Sequence, residues 1–176
     1  RLNVFFKVPI EAVIFDMDGL LVDSEPVWRE VEIACFKEVG VELTELQCME
    51  TKGLRIDEVV DYWFSRIPWH GTTKESLVKH IVDSMVAEMK LNAKALPGVY
   101  ETLAICESKG LKTVVASSSQ LRLINAVLHG LALESSFHVV HSAEHEDLGK
   151  PHPAVFLAAA NQLGVKPENC LVLEDS

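Results

Sequence analysis

Glu11-Ala-Val-Ile-Phe-Asp16-Met-Asp18-Gly-Leu-Leu-Val-Asp-Ser24 decides the architecture of the chain. A short, unbroken apolar run that stops at a turn signal reads as a strand buried on both faces, the mark of a parallel sheet flanked by helices. Asp16 then stands at the strand's carboxyl end, where open α/β sheets bind their ligands. Two carboxylates as close as Asp16 and Asp18 repel each other and need a cation or a proton to be tolerated. Mg2+ meets that need, because it takes hard oxygens from one or two carboxylates and keeps its other positions for water and phosphate. In such a site Asp16 can act as a nucleophile that forms an acyl phosphate. Asp18 can protonate the leaving group and later deprotonate water. Gly19 lets the backbone turn sharply beneath both. The plainer alternative is a glycine turn after a strand, with two solvated acids.

Downstream the periodicity becomes helical. Val27, Val31, Ala34 and Cys35 share one face of a helix that Pro26 opens and Gly40 ends. Thr44 to Gly53 is a second helical stretch, and Val59, Val60, Trp63, Phe64 and Ile67 mark a third, broken by Pro68. Val78, Ile81, Val82, Met85, Val86 and Met89 form the stripe of a fourth. From Leu96 onward helices and strands alternate: helix 98–109, strand 111–116, helix 120–129, strand 137–141, helix 154–163 and strand 170–173. Such alternation implies right-handed crossovers and a parallel sheet. The expected fold is therefore α/β, a Rossmann-like parallel sheet core of residues 1–24 and 94–176 with an inserted all-helical cap domain, residues 25–93.

With 176 residues, 48% of them hydrophobic and 24% charged, the chain can bury a sizeable core and shows no sign of disorder. Its net charge of −10 argues against nucleic acid as a partner, and means that anionic ligands must be drawn by local positive charge or metal. Cys35, Cys48, Cys106 and Cys170 lack C-x-x-C spacing and read as reduced thiols of a cytoplasmic protein. No apolar run approaches the ~20 residues of a membrane span, so no membrane partner is expected. Arg1 to Pro9 is basic and apolar without a small-residue cleavage site, and reads as a leader or appended remnant and not as a signal peptide.

Each further polar cluster follows a predicted strand. Ser117 can offer a hydroxyl to phosphate, and the backbone N–H groups of Ser118 and Ser119 at a helix start add an anion site; a plain serine N-cap is the alternative. Lys150, in Gly149-Lys-Pro-His-Pro153, supplies a fixed positive charge to a phosphoryl group, unless it is an ordinary surface lysine. Glu174 and Asp175 repeat the opening device and would complete an oxygen cage with Asp16 and the backbone carbonyl of Asp18. Trp63 and Trp69 could stack on a ligand, although helix spacing favours a core role for Trp63. His138, His141, His145 and His152 are too dispersed for a zinc site.

Asp16-Met-Asp18-Gly19-Leu-Leu-Val-Asp23-Ser24 resembles the first motif of the haloacid dehalogenase superfamily of phosphohydrolases. Ser117 after its apolar strand, Lys150-Pro-His-Pro and Glu174-Asp-Ser resemble the second, third and fourth motifs. Asp23-Ser-Glu-Pro26 resembles the branch of sugar-phosphate phosphatases and β-phosphoglucomutases. Gly53-Leu-Arg-Ile56, Val59-Val60-Asp61 and Pro68-Trp69 are similar to the bacterial hexitol and 2-deoxyglucose-6-phosphate phosphatases within it.

The resemblance implies a Mg2+-dependent phosphatase acting on a small phosphorylated sugar or polyol through an aspartyl-phosphate intermediate, working as a monomer. It implies catalytic roles for Asp16, Asp18, Ser117 and Lys150, and metal ligation by Asp16, Asp18, Glu174 and Asp175. Substrate contacts are implied for Ser117, Ser118, Lys150 and Arg55, the last as a cap residue facing the site. Trp28 stands where the mutases of this branch carry a hinge histidine, which favours hydrolysis over the mutase alternative. Dehalogenases of the superfamily lack the second Asp of the first motif. The family continues beyond its fourth motif with a helix and at least one more strand, so a core lacking its C-terminal part is expected, and an inactive, truncated binding module is a further alternative.

Overall fold

The computed structural model describes residues 9–175, so the leader expected over Arg1 to Pro9 lies, apart from Pro9, outside the described residues. Strand β1 (Ala12–Phe15) is buried at every position, as a strand covered by helices on both faces must be. It lies inside a four-stranded, all-parallel sheet of order β3-β2-β1-β4, with β2 at Lys112–Ser117, β3 at Val139–Ser142 and β4 at Cys170–Leu173. Because successive side chains point to opposite faces, Ala12 and Ile14 join Val114, Ala116, Val155, Ala159 and Ala160 beneath helix α7 (Ala154–Leu163). Val13 and Phe15 face the other way, into a cluster with Leu103 and Cys106 of α5 (Val99–Ser108) and Leu123, Ile124 and Val127 of α6 (Leu121–Gly130).

The segment between β1 and α5 is helical throughout: α1 (Glu25–Glu38), α2 (Glu45–Glu50), α3 (Ile56–Arg66) and α4 (Lys74–Asn92). Thr44 starts α2 with a capping box, in which its hydroxyl accepts from Gln47 N and the Gln47 side chain accepts from Thr44 N. Helix α4 packs against α1 and α3 and also against α6 of the sheet layer. Its buried Leu77, Ile81, Val82, Met85 and Met89 belong to the same apolar cluster as Phe15.

Four expectations need adjusting. In α1, Ala34 is exposed and Val27 and Val31 are only half-buried, while Glu32, Cys35 and Phe36 are buried: the helix is turned from its purely apolar face. Strand β3 starts at Val139, because Phe137 is committed to an edge-to-face contact with Phe15 at 5.6 Å. Helix α2 ends at Glu50, and Thr51 closes it through backbone N–H and side-chain bonds to Cys48 O. Trp69 is buried between Phe36 and Phe64, with centroid distances of 5.9 and 4.7 Å, and does not face the cavity described below; Trp63 takes the core role that helix spacing favoured.

Candidate active site

Strands β1 and β4 pair in register, Phe15 beside Leu173, and the N–H of Asp16 still donates to Leu173 O at 3.0 Å. The two chains therefore deliver Asp16 and Glu174-Asp175 side by side as they leave the sheet. Asp16, Glu174 and Asp175 each present a carboxylate oxygen, and these atoms all lie within 4.8 Å of one another. Gly19 makes room for the third acid. It adopts φ +75°, and a Cβ there would stand 2.8 Å from Asp175 Cγ.

Lys150 Nζ reaches Asp16 Oδ2 at 2.8 Å and Glu174 Oε1 at 3.0 Å, bridging the two strand ends. Burial pushes the Asp16 carboxyl up to about 6, against the lowering pull of the Lys150 charge and hydrogen bond and with a further raise from Asp18. From the cap side, Lys52 Nζ binds Asp175 Oδ2 at 3.0 Å and lies 3.6 Å from Glu25 Oε1. Its hydrogen bond to Asp175 holds the Lys52 ammonium above the usual lysine range.

Asp18 is turned elsewhere. Its Oδ1 accepts from Ser24 Oγ at 2.6 Å and Trp28 Nε1 at 2.8 Å, and its Oδ2 accepts from Ser119 Oγ at 2.8 Å. The carboxylate thus stands outside the cluster of three acids, which leaves its backbone carbonyl as the atom the sequence reading had for a metal. Ser117 is buried at the end of β2, and its Oγ accepts from Ser119 N at 3.1 Å. The Ser118 hydroxyl donates to Gly53 O of the cap at 3.0 Å.

Asp16, Asp18, Ser117, Ser118, Lys150, Glu174 and Asp175 all line one cavity between sheet and cap. Arg55 does not. Its guanidinium donates to Ala143 O at 3.3 Å and Glu146 O at 2.7 Å and pairs with Asp57 at 3.3 Å, so in this conformation it braces α3 against the loop after β3. The cavity carries six carboxyl groups (Asp16, Asp18, Glu25, Glu32, Glu174 and Asp175) against three cations, Arg29, Lys52 and Lys150. Such a balance repels an anion and attracts a divalent cation.

A haloacid dehalogenase-like hydrolase profile matches residues 10–176. The chain belongs to this family of hydrolases. Hexitol phosphatase B of Escherichia coli (strain K12) is 42% identical over 168 residues, covering 95% of this chain and 76% of that protein. The phosphorylated carbohydrates phosphatase of Thermotoga maritima is 31% identical over 167 residues, 95% of this chain and 77% of its own length. A crystal structure of β-phosphoglucomutase (pgmB) from Clostridium difficile superposes with a TM-score of 0.85 at 27% identity, covering 95% of this chain and 77% of that one.

Sequence reasoning missed the cap's share of the site, Lys52 and Glu32, and the donors to Asp18 from Ser24, Trp28 and Ser119. One signal was there to be read: Glu25, Trp28, Arg29 and Glu32 recur at helical spacing and make a polar stripe along α1. Lys52 carried none and Ser119 was marked only for its backbone N–H, since each side chain meets its partner across more than a hundred residues, 123 between Lys52 and Asp175 and 101 between Ser119 and Asp18.

Proposed function

We propose that the chain is a Mg2+-dependent phosphatase that hydrolyses small sugar or sugar-alcohol phosphate monoesters in the cytoplasm, with residues 25–93 acting as a cap over the α/β core. The observation that carries this reading is the convergence of Asp16, Glu174, Asp175 and Lys150 at the ends of β1 and β4, in one cavity with Ser117. Three hard oxygen donors within a few ångströms, in a cavity richer in acids than in cations, fit a Mg2+ site. Asp16, Glu174 and Asp175 would hold the ion, with the Asp18 backbone carbonyl. When bound it would neutralise phosphoryl oxygens that the acids would otherwise repel.

An oxygen of Asp16 attacks phosphorus and an aspartyl phosphate forms as the P–O bond to the sugar breaks. Asp18 gives its proton to the departing alkoxide. It then takes a proton from water, whose oxygen attacks the phosphorus and releases inorganic phosphate with Asp16 restored. Ser117 and Lys150 hold the phosphoryl oxygens as charge spreads over them. Ser24, Trp28 and Ser119 fix the Asp18 carboxyl in one orientation, and the indole N–H of Trp28 can only donate. The identity to hexitol phosphatase B and to the phosphorylated carbohydrates phosphatase supports the substrate class. The four free thiols fit a reducing compartment.

The test is hydrolysis of p-nitrophenyl phosphate with MgCl2 by the chain and by Asp16→Asn. The chain turns over and the variant loses at least about 10³-fold in kcat. Equal, near-zero rates from two folded samples would leave a binding module instead. Efficient isomerisation of β-glucose 1-phosphate with a bisphosphate activator would make it a mutase.

A further inference from the structure

The cavity continues past the reacting end along α1, where Glu25, Trp28, Arg29 and Glu32 all line it. Steps of three, four and seven residues keep these side chains on one helix face. Glu25 lies beside Lys52, the partner of Asp175, and the helix advances about 10 Å from Glu25 to Glu32. Glu32 therefore marks the far end of the cavity, in the cap, where Cys48 of α2, Val59 of α3 and Val82 of α4 also line it. Its side chain is an anomaly there. Glu32 is 8% exposed; the Cys48 thiol hydrogen-bonds its carboxyl, but Oε2, sealed from solvent, has no hydrogen-bond partner among the described residues. Buried carboxylate oxygens are almost always satisfied, and an orphan invites a functional explanation. Burial pushes this carboxyl up to about 7, so that near neutrality it can both accept from and donate to a hydroxyl.

We propose that Glu32 is a specificity-determining residue, hydrogen-bonding the hydroxyls at the unphosphorylated end of a polyol chain long enough to run from Asp16 to the cap. This rests on the phosphatase reading. A linear five- or six-carbon polyol phosphate spans the length of the α1 stripe, and a three-carbon one stops short of it. Only the longer substrate brings hydroxyls to this carboxyl, which turns its sealed Oε2 toward the cavity to meet them. A ligand with no hydroxyls at that end leaves it unpaired.

The experiment compares kcat/KM for sorbitol 6-phosphate with kcat/KM for p-nitrophenyl phosphate, in the full chain with MgCl2, for wild type, Glu32→Leu and Glu32→Gln. The preference for the polyol falls about 10–100-fold in Glu32→Leu and by a smaller factor in Glu32→Gln, which keeps hydrogen-bonding capacity. Glycerol 3-phosphate, too short to reach, shows no change in its own ratio to p-nitrophenyl phosphate. If Glu32→Leu does not fold, the nearly isosteric Glu32→Gln decides alone, with a drop of about threefold or more. A sorbitol preference unchanged within twofold, whether both rates fall together or neither moves, overturns the assignment. A wild type active on p-nitrophenyl phosphate with such a flat preference sinks only the role of Glu32, whereas a wild type inactive on all three esters sinks the phosphatase reading and this proposal with it.

Discussion

Gly19 and Asp175 set the closest steric constraint of the site. At φ +75° an alanine would be strained, and its Cβ would press on the Asp175 carboxylate. Gly19→Ala should therefore displace one of the three acids, with a stability loss of about 1–3 kcal/mol and at least a tenfold rise in the Mg2+ concentration needed for half-maximal turnover, read from a MgCl2 titration. A second residue governs the response of stability to pH. Glu32 titrates at about 7 in the folded chain against an ordinary value of 4.5. Between these values the folded state binds more protons than the unfolded one, so stability falls as pH rises through that window and stays reduced above it. Glu25 on the same helix adds to the raise, while the Cys48 thiol facing Glu32 from α2 lowers it through a hydrogen bond and is itself pushed up to about 12, remaining neutral. Arg29 lines the same cavity. Glu32→Gln should then gain little over wild type at pH 5 and on the order of 3 kcal/mol at pH 8, measured by urea unfolding. A gain that does not change with pH would show that another group titrates.

Among the elements, α3 owes its placement to Arg55. Its guanidinium is mostly buried and supplies donors to the carbonyls of Ala143 and Glu146, tying the start of α3 to the loop after β3. Arg55→Ala takes the donor from Glu146 O and one of two from Ala143 O, which keeps the Glu146 N–H, and should cost about 1–3 kcal/mol, with faster amide exchange at the start of α3. A substrate-contacting Arg55, the expectation from sequence, would instead show its main effect in KM with unfolding unchanged. What was legible in the sequence follows the same physics. Strand ends are marked locally: Val13-Ile14-Phe15 before Asp16 and Leu171-Val172-Leu173 before Glu174 each place an apolar run directly against an acid, so both sheet and acids could be read. The inner face of α1 could not. Amphipathic reasoning picks Val27, Val31 and Ala34; the polar stripe of Glu25, Trp28, Arg29 and Glu32 is visible at helical spacing, but only the fold shows that it faces a cavity and not solvent.

At the scale of the whole molecule, cap and core are tied together at the site itself. Lys52 binds Asp175, Trp28 binds Asp18 and Ser118 binds Gly53, so Asp175, one of the acids that would hold a metal, also holds the cap. Mg2+ at the three acids would compete with Lys52 for Asp175 and with Lys150 for Asp16 and Glu174, a divalent ion set against two monovalent partners. Since only the folded chain gathers the three acids, Mg2+ at about 100 times its Kd should stabilise by about 2.7 kcal/mol, or roughly 5–10 °C in Tm for a chain of this size. EDTA should reverse the rise and Asp175→Asn should abolish it, both read by thermal melting. The competition between Lys52 and the ion gives the sharper test. Lys52→Met removes the cap's rival for Asp175 and should tighten Mg2+ binding. The gain should stay within about fivefold, because the Lys52 side chain is 39% exposed and solvent already weakens its pair with Asp175. Weaker Mg2+ binding in Lys52→Met would mean that the ion does not compete for Asp175 and that the acids between β1 and β4 serve some other ligand.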